Sequence, residues 1–344
     1  MKVYHMEGFT MTRIDIFSGF LGAGKTTLIR KLINEGYKGQ KLVLIENEFG
    51  EIAIDGGFLK DAGVQITEMN SGCICCTLVG DFTKALKKVM DDYAPDRIII
   101  EPSGVGKLSD VAKAVEHVDG AHIGAKVTVV DAGKCRMYMR NFGEFFNDQV
   151  ENADLIVMSR TDITPEAKVQ TAADMLRTLN HDAGLITTPL DKISGEQILE
   201  AMDKNGLRAQ MEELEHEHEH HHHDHDDDDD DDDCCCGHDH DHEHGHHHAD
   251  DVFVSWGAET TKKFTEDEIK NMLTELENER DYGIILRAKG IVAADGGEWI
   301  HFDYVPGEPD VRRGAADVIG RLCVIGSNIN KEAVEKLFSV EGKM

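Results

Sequence analysis

The sequence predicts a mostly parallel α/β sheet with helices on both faces, followed by a small α+β domain. Three observations carry this. Short Val- and Ile-rich runs alternate with segments of helical period from Arg13 to Lys204, the pattern of strands buried on both faces and joined by crossover helices. A glycine-rich loop ending in Gly24-Lys25-Thr26 sits between the first such run and the first helical segment. An acidic, His-rich stretch nearly devoid of apolar residues then separates this part from a second patterned region.

In chain order, the expected strands of the first region are Arg13–Ser18, Lys41–Glu46, Val64–Glu68, Arg97–Glu101, Lys126–Asp131, Leu155–Ser159 and Leu185–Thr188. Helices are expected at Lys25–Glu35, Asp81–Asp92, Leu108–His117, Pro165–Leu179 and Gly195–Lys204. Gly36 suits the end of the first helix. Thr164 suits a cap before Pro165 at the first helical position, and Ser194 with Gln197 fits a capping box. In the second region, Thr265 and Glu268 form another capping box, opening a helix to about Asn278. Gly283–Ala293 and Glu298–Val305 fit strands joined through Asp295-Gly296-Gly297, a hairpin signal. Arg321–Ile325 reads as a further strand and Lys331–Phe338 as a closing helix. The expected organisation is a leader at 1–11, a nucleotide domain at 12–205, a linker at 206–251 and a C-terminal domain at 252–344.

Charge narrows the function classes. The 344 residues hold 66 Asp+Glu against 36 Lys+Arg, a formal net charge of -30. Between Glu212 and Asp251 lie 19 of the acids, 14 of the 19 His and three of the eight Cys, with no Lys or Arg. Such a segment cannot bury enough apolar surface to offset its ordering entropy, so a disordered linker is expected. A nucleic-acid partner is disfavoured, because phosphate neutralisation needs clustered cations. No apolar run approaches the roughly 20 residues of a membrane span, and no signal-peptide pattern opens the chain. Six of the eight Cys sit in two tight clusters, which argues against a disulfide scaffold and for a cytoplasmic protein with reduced thiols.

Gly19-Phe20-Leu21-Gly22-Ala23-Gly24-Lys25-Thr26 fits GxxxxGK[ST], with Thr27 following, and its place between strand and helix is the context a P-loop requires. Backbone N–H groups of Gly22, Ala23 and Gly24 would cradle phosphates, helped by the field of the helix N-terminus. Lys25 would reach the β and γ phosphates and Thr26 would ligate Mg²⁺. Glu101, ending a strand of three Ile, would hold Mg²⁺ through water or orient the attacking water. Gly104 would let the backbone approach the γ-phosphate. Ser159-Arg160-Thr161-Asp162 follows another strand, and a carboxylate at Asp162 can accept from the two N–H donors on the guanine edge, which favours GTP over ATP. Relative to the usual NKxD, Ser159 replaces Asn and Arg160 replaces Lys. The Arg160 stem can still lie over the base, but the amide contact is lost.

Cys73, Cys75 and Cys76 place three thiols within four residues, which points to a metal held by a loop. Soft thiolates select Zn²⁺ or Cu(I), and three ligands leave a fourth tetrahedral position open, which suits transfer. Cys135 and Cys323 stand alone and fit buried small hydrophobes.

With GFLGAGKTTL, ENEFGEIAID, GCICC, IIIEPSGVGKLSD and SRTD in order, then a His-rich linker, RAKGIVAADGGEWIHF and RLCVIGSNI, the chain resembles the CobW family of P-loop GTPase metallochaperones. The resemblance covers nearly the whole length. It implies GTP hydrolysis coupled to delivery of a metal, most often zinc with Co²⁺ or Ni²⁺ as alternatives, to a client metalloprotein. It also implies Cys73, Cys75 and Cys76 as ligands, Glu46 and Glu51 as additional acidic ligands or switch residues, and Asp55 as a switch acid near Mg²⁺. The interleaved imidazoles and carboxylates of the linker suit weak, multiple capture of transition ions feeding the thiolate site. A nickel- or cobalt-inserting GTPase and a His-rich metal buffer with a regulatory nucleotide site are the alternatives, and a homo-oligomer is compatible with any of the three.

Overall fold

The computed structural model describes residues 11–46, 65–68, 79–206, 252–295, 298–317, 319–340 and 342, with 65–68 and 79–81 as backbone. Two sheets organise them. The first holds seven strands: β1 (Thr12–Ser18), β2 (Leu42–Glu46), β3 (Gln65–Glu68), β4 (Arg97–Glu101), β5 (Ala121–Asp131), β6 (Leu155–Ser159) and β7 (Gly184–Ile186). Their spatial order is β3-β2-β4-β1-β5-β6-β7, and every neighbouring pair is parallel. Ile98, Ile99 and Ile100 of β4 are all fully buried because helices cover both faces. One face packs Ile14, Ile16, Ile98 and Ile100; the other packs Phe17, Leu44, Ile99 and Val127.

Helix α1 spans Lys25–Glu35 and stops at Gly36, whose N–H donates to the Leu32 carbonyl. Helices α2 (Val79–Tyr93) and α3 (Leu108–Glu116) follow near their expected places. Two helices had no counterpart in the sequence reading: α4 (Cys135–Asn141) and α5 (Gly143–Glu151). Helix α6 is Glu166–Leu179, and here the expected cap is corrected. The helix starts at Glu166, so Pro165 occupies the cap position, Thr164 falls one residue too early, and no side chain caps the helix; the Thr164 N–H donates to the Arg160 carbonyl in the preceding turn. Residues 195–206 are helical and begin with the expected box: Ser194 N–H donates to Gln197 Oε1 at 3.0 Å, and Gln197 N–H to Ser194 Oγ at 3.2 Å.

The second sheet is antiparallel: β8 (Val254–Thr260), β9 (Ile284–Ala293), β10 (Trp299–Val305), β11 (Glu308–Gly314) and β12 (Gly320–Ser327), in the order β11-β10-β9-β12-β8. In β10, Ile300, Phe302 and Tyr304 are buried while His301 and Asp303 alternate outward, as expected of a sheet with one packed face. Two helices, Glu266–Glu275 and Lys331–Phe338, help form that core through Ile269, Leu273, Val334 and Phe338. The Thr265–Glu268 capping box is present.

The two sheets share a hydrophobic core. Leu286, Cys323 and Ile325 belong to the same buried cluster as Ile14 and Ile16. Phe253, 1% exposed, has its ring centroid 5.0 Å from Phe145, 5.4 Å from Phe142 and 6.1 Å from Phe20. Phe20 lies inside the glycine loop, so the second region is anchored directly beneath that loop.

Candidate functional site

The glycine loop leaves the C-terminal end of β1, the central strand, and β4 and β5 flank it. Ligands of open parallel sheets gather at these strand ends. Gly22 and Gly24 have φ of 71° and 100°, backbone that a β-carbon would strain. Their turns wrap the loop over the start of α1. Lys25, the first helical residue and buried, donates from Nζ to the Gly19 carbonyl at 2.9 Å and stands 4.0 Å from Glu101 Oε1. The Thr26 hydroxyl donates to Glu101 Oε1 and Oε2 at 3.2 and 3.3 Å. Gly104 sits against the loop from the other side: a Cβ there would meet the Leu21 backbone nitrogen at 2.9 Å.

A hydroxyl and a carboxylate in contact at a helix N-terminus are hard oxygen donors suited to Mg²⁺, which keeps most of its waters and accepts one or two protein oxygens. Thr26 and Glu101 would hold it. Above them opens a cavity of about 510 Å³, lined on this side by Gly22, Gly24, Lys25, Thr26, Thr27 and Glu101. That volume is in the range of small-molecule sites.

On the β6 side, Ser159 is buried and donates its hydroxyl to the Ala23 carbonyl at 2.6 Å. It therefore ties the loop after β6 to the glycine loop. Arg160 lines the cavity from a left-handed backbone, φ 56°. Its guanidinium donates to Asp131, the last residue of β5, and to Glu308 of β11. Asp131 is 3% exposed and also accepts from the N–H groups of Gly133 and Lys134. Asp162 is exposed and stands outside the cavity lining.

Glu46 is buried at the end of β2, with its Cα in register with that of Glu101. Glu51, Asp55, Cys73, Cys75 and Cys76 lie outside the described residues, as does the linker tract. Among the described residues no group of three or more His, Cys, Asp and Glu could hold a metal ion, and no helix is long and apolar enough to cross a membrane. Cys135 and Cys323 are buried free thiols, and burial pushes the Cys135 thiol up to about 12.

Sequence reasoning missed Asp131, although a carboxylate ending an apolar strand is the same signal that exposed Glu101. It also missed the far wall of the cavity, built by Arg287, Asp303, Val305, Glu308, Asp310 and Arg312. Those six are scattered over β9, β10 and β11 with no motif spacing.

The site and sheet together define a P-loop nucleotide-binding protein. The family described as CobW/HypB/UreG, nucleotide-binding domain matches residues 13–187, and the cobalamin synthesis protein cobW C-terminal domain matches residues 253–340. The chain belongs to the CobW/HypB/UreG family. It is 31% identical over 188 residues to the zinc chaperone YeiR of Escherichia coli, covering 54% of this chain and 57% of that protein. It is 35% identical over 190 residues to the zinc chaperone CobW of a Sinorhizobium species, covering 46% and 53%. The zinc-regulated GTPase metalloprotein activator 1 of Dictyostelium discoideum is 26% identical over 234 residues, covering 56% and 49%. The chain thus spans about half the length of the curated relatives it matches. Among solved structures, Zn(II)-bound YjiA GTPase from E. coli is 20% identical with a TM-score of 0.44, covering 96% of this chain and 98% of that one.

Proposed function

We propose that this protein is a cytoplasmic GTP-hydrolysing metallochaperone that binds zinc at Cys73, Cys75 and Cys76 and passes it to a client metalloprotein. The observation that carries the nucleotide part is the meeting of Lys25, Thr26 and Glu101 at the N-terminus of α1 beneath an open cavity. Family membership and the names of the zinc-chaperone relatives support the metal part. Three regions divide the work: residues 12–205 hydrolyse GTP, 206–251 gather metal, and 252–344 complete the chain's core and cavity.

In this reading the backbone N–H groups of the glycine loop, with Gly104 close behind them, hold the phosphates. The Lys25 ammonium exchanges the Gly19 carbonyl for phosphate oxygens, and Glu101 orients the attacking water. Bound Mg²⁺ supplies neutralisation of the charge developing between the β and γ phosphates. Ser159, Arg160 and Asp162 serve the base. Glu46, Glu51 and Asp55 link phosphate occupancy to the thiolate site, so that GTP tightens the grip on the metal and hydrolysis loosens it toward a docked client.

Zinc titrations of the empty, GTP-loaded and GDP-loaded chain test this directly. Tighter zinc binding in the GTP form, lost in Cys75→Ser, is expected. Equal dissociation constants in all three forms would leave a metal buffer with an idle nucleotide site.

A further inference from the structure

The cavity above the glycine loop is walled by both regions of the chain. Val305 at the end of β10 lies so close to Gly22 that a Cβ there would come within 2.3 Å of Val305 Cγ1. Immediately beyond it, Glu308 opens β11, and its carboxylate reaches back across the cavity mouth. Arg160 Nη2 is 2.9 Å from Glu308 Oε2, and Lys134 Nζ is 2.9 Å from Oε1. One carboxylate from the second sheet is thus clasped by two cations of the first region. Arg287 is paired with Asp303, and Arg312 with Asp310, on the same cavity wall.

We infer that Glu308 is a latch that competes with bound nucleotide: it holds the β10–β11 hairpin over the glycine loop and is displaced when phosphates enter. The inference rests on the nucleotide-binding reading above. A nucleoside triphosphate brings several negative charges into a cavity whose lining holds five cations and four carboxylates. Three of those cations are already paired, Arg160 with Glu308, Arg287 with Asp303 and Arg312 with Asp310, so phosphates and carboxylates compete for the same cations, most strongly where water is partly excluded. Arg160, whose guanidinium already donates to both Asp131 and Glu308, would have to divide its donors further for an incoming anion, and Glu308 is the more exposed of its two partners. Nucleotide therefore weakens the clasp and frees the hairpin. By reciprocity, the closed hairpin weakens nucleotide binding by the same factor. Glu308 acts through Arg160 and Lys134, so it is a positioning residue and touches no reacting atom.

The test uses the full chain and a fluorescent GDP analogue, with GTP turnover measured in parallel. Glu308→Gln keeps the shape and removes the charge. Because the pair is partly exposed, with Glu308 at 41% and Arg160 at 27%, nucleotide affinity should rise about twofold to fivefold. The gain should appear in KM, with kcat nearly constant, whereas a merely structural lesion would lower kcat. Glu308→Asp should return affinity toward the wild-type value. Lys134→Gln loosens the clasp from the other side without altering the cavity lining and should also raise affinity. Both tryptophans, Trp256 and Trp299, lie in the second sheet. Their emission in nucleotide-free Glu308→Gln should resemble that of the nucleotide-loaded wild type. Unchanged or weaker binding in both variants, with the wild type still binding, overturns the latch alone. A wild type that binds no guanine nucleotide overturns the latch and the nucleotide reading together.

Discussion

The first sheet and the second contribute to one cavity in different ways. At the glycine loop, contributions come from consecutive residues: Lys25, Thr26 and Thr27 reach the site because a helix begins there, and Glu101 because the neighbouring strand ends there. The second sheet brings Arg287 from β9, Asp303 and Val305 from β10, and Glu308 and Arg312 from β11, each placed by antiparallel pairing and each unremarkable in its own sequence context. The contrast teaches that a phosphate cradle is a local device, whereas a wall facing it is a property of docking. The two regions also differ in what holds them: the cradle depends on backbone geometry, and the docking on an aromatic cluster around Phe20 and Phe253.

Four substitutions test the contrast between cradle and docked wall. Phe253→Ala should have the largest effect. It empties a buried aromatic site shared by both regions, and unfolding in urea should show a loss of about 3–5 kcal/mol. If instead the first region unfolds unchanged, the shared core has no energetic meaning. Lys25→Ala removes the one buried ammonium of the cradle, and GTP turnover should fall by about 10²–10³-fold while the urea midpoint barely moves. Thr265→Ala opens the capping box of Glu266–Glu275, far from the cradle. Stability should drop by about 1 kcal/mol, and nucleotide affinity should stay at the wild-type value. Ser159→Ala cuts the tether between the β6 loop and the Ala23 carbonyl. Its cost should be about 0.5–1.5 kcal/mol, read as weaker GDP binding with unchanged kcat. A selective loss of guanine over adenine preference would show that Ser159 serves the base directly as well as through the glycine loop.

Much of the first sheet was legible because each strand is a short apolar run and each crossover helix has its own period. β4 and β6 fall at the expected residues, and α1 begins and ends where Lys25 and Gly36 indicate. Helices α4 and α5 were hidden by an aromatic-rich run broken by Gly143, whose apolar residues serve the cluster with Phe20 and Phe253 more than one helical face. β5 begins at Ala121, five residues earlier than expected, because His122 and Gly124 interrupt the apolar signal. β11, Glu308–Gly314, carries Pro309 and four charged residues, the composition of an edge strand, and it is at the edge of the second sheet among the described residues. The sequence expects the Arg160 stem to lie over a base and is silent on its guanidinium, which donates to Asp131 and Glu308. Its partners come from 29 and 148 residues away in the chain.

Local sequence pattern was enough for the parallel sheet, the P-loop and its acid at the end of β4, and the helix caps at Ser194 and Thr265. In each of these the deciding contacts are made between residues a few positions apart or at the ends of adjacent strands. The three-dimensional packing alone reveals that Phe253 completes the core of the first region, that Val305 rests on Gly22, and that Glu308 closes on Arg160 and Lys134. Those contacts arise from packing two sheets together, and packing joins residues by shape and charge across distances along the chain that no local pattern encodes.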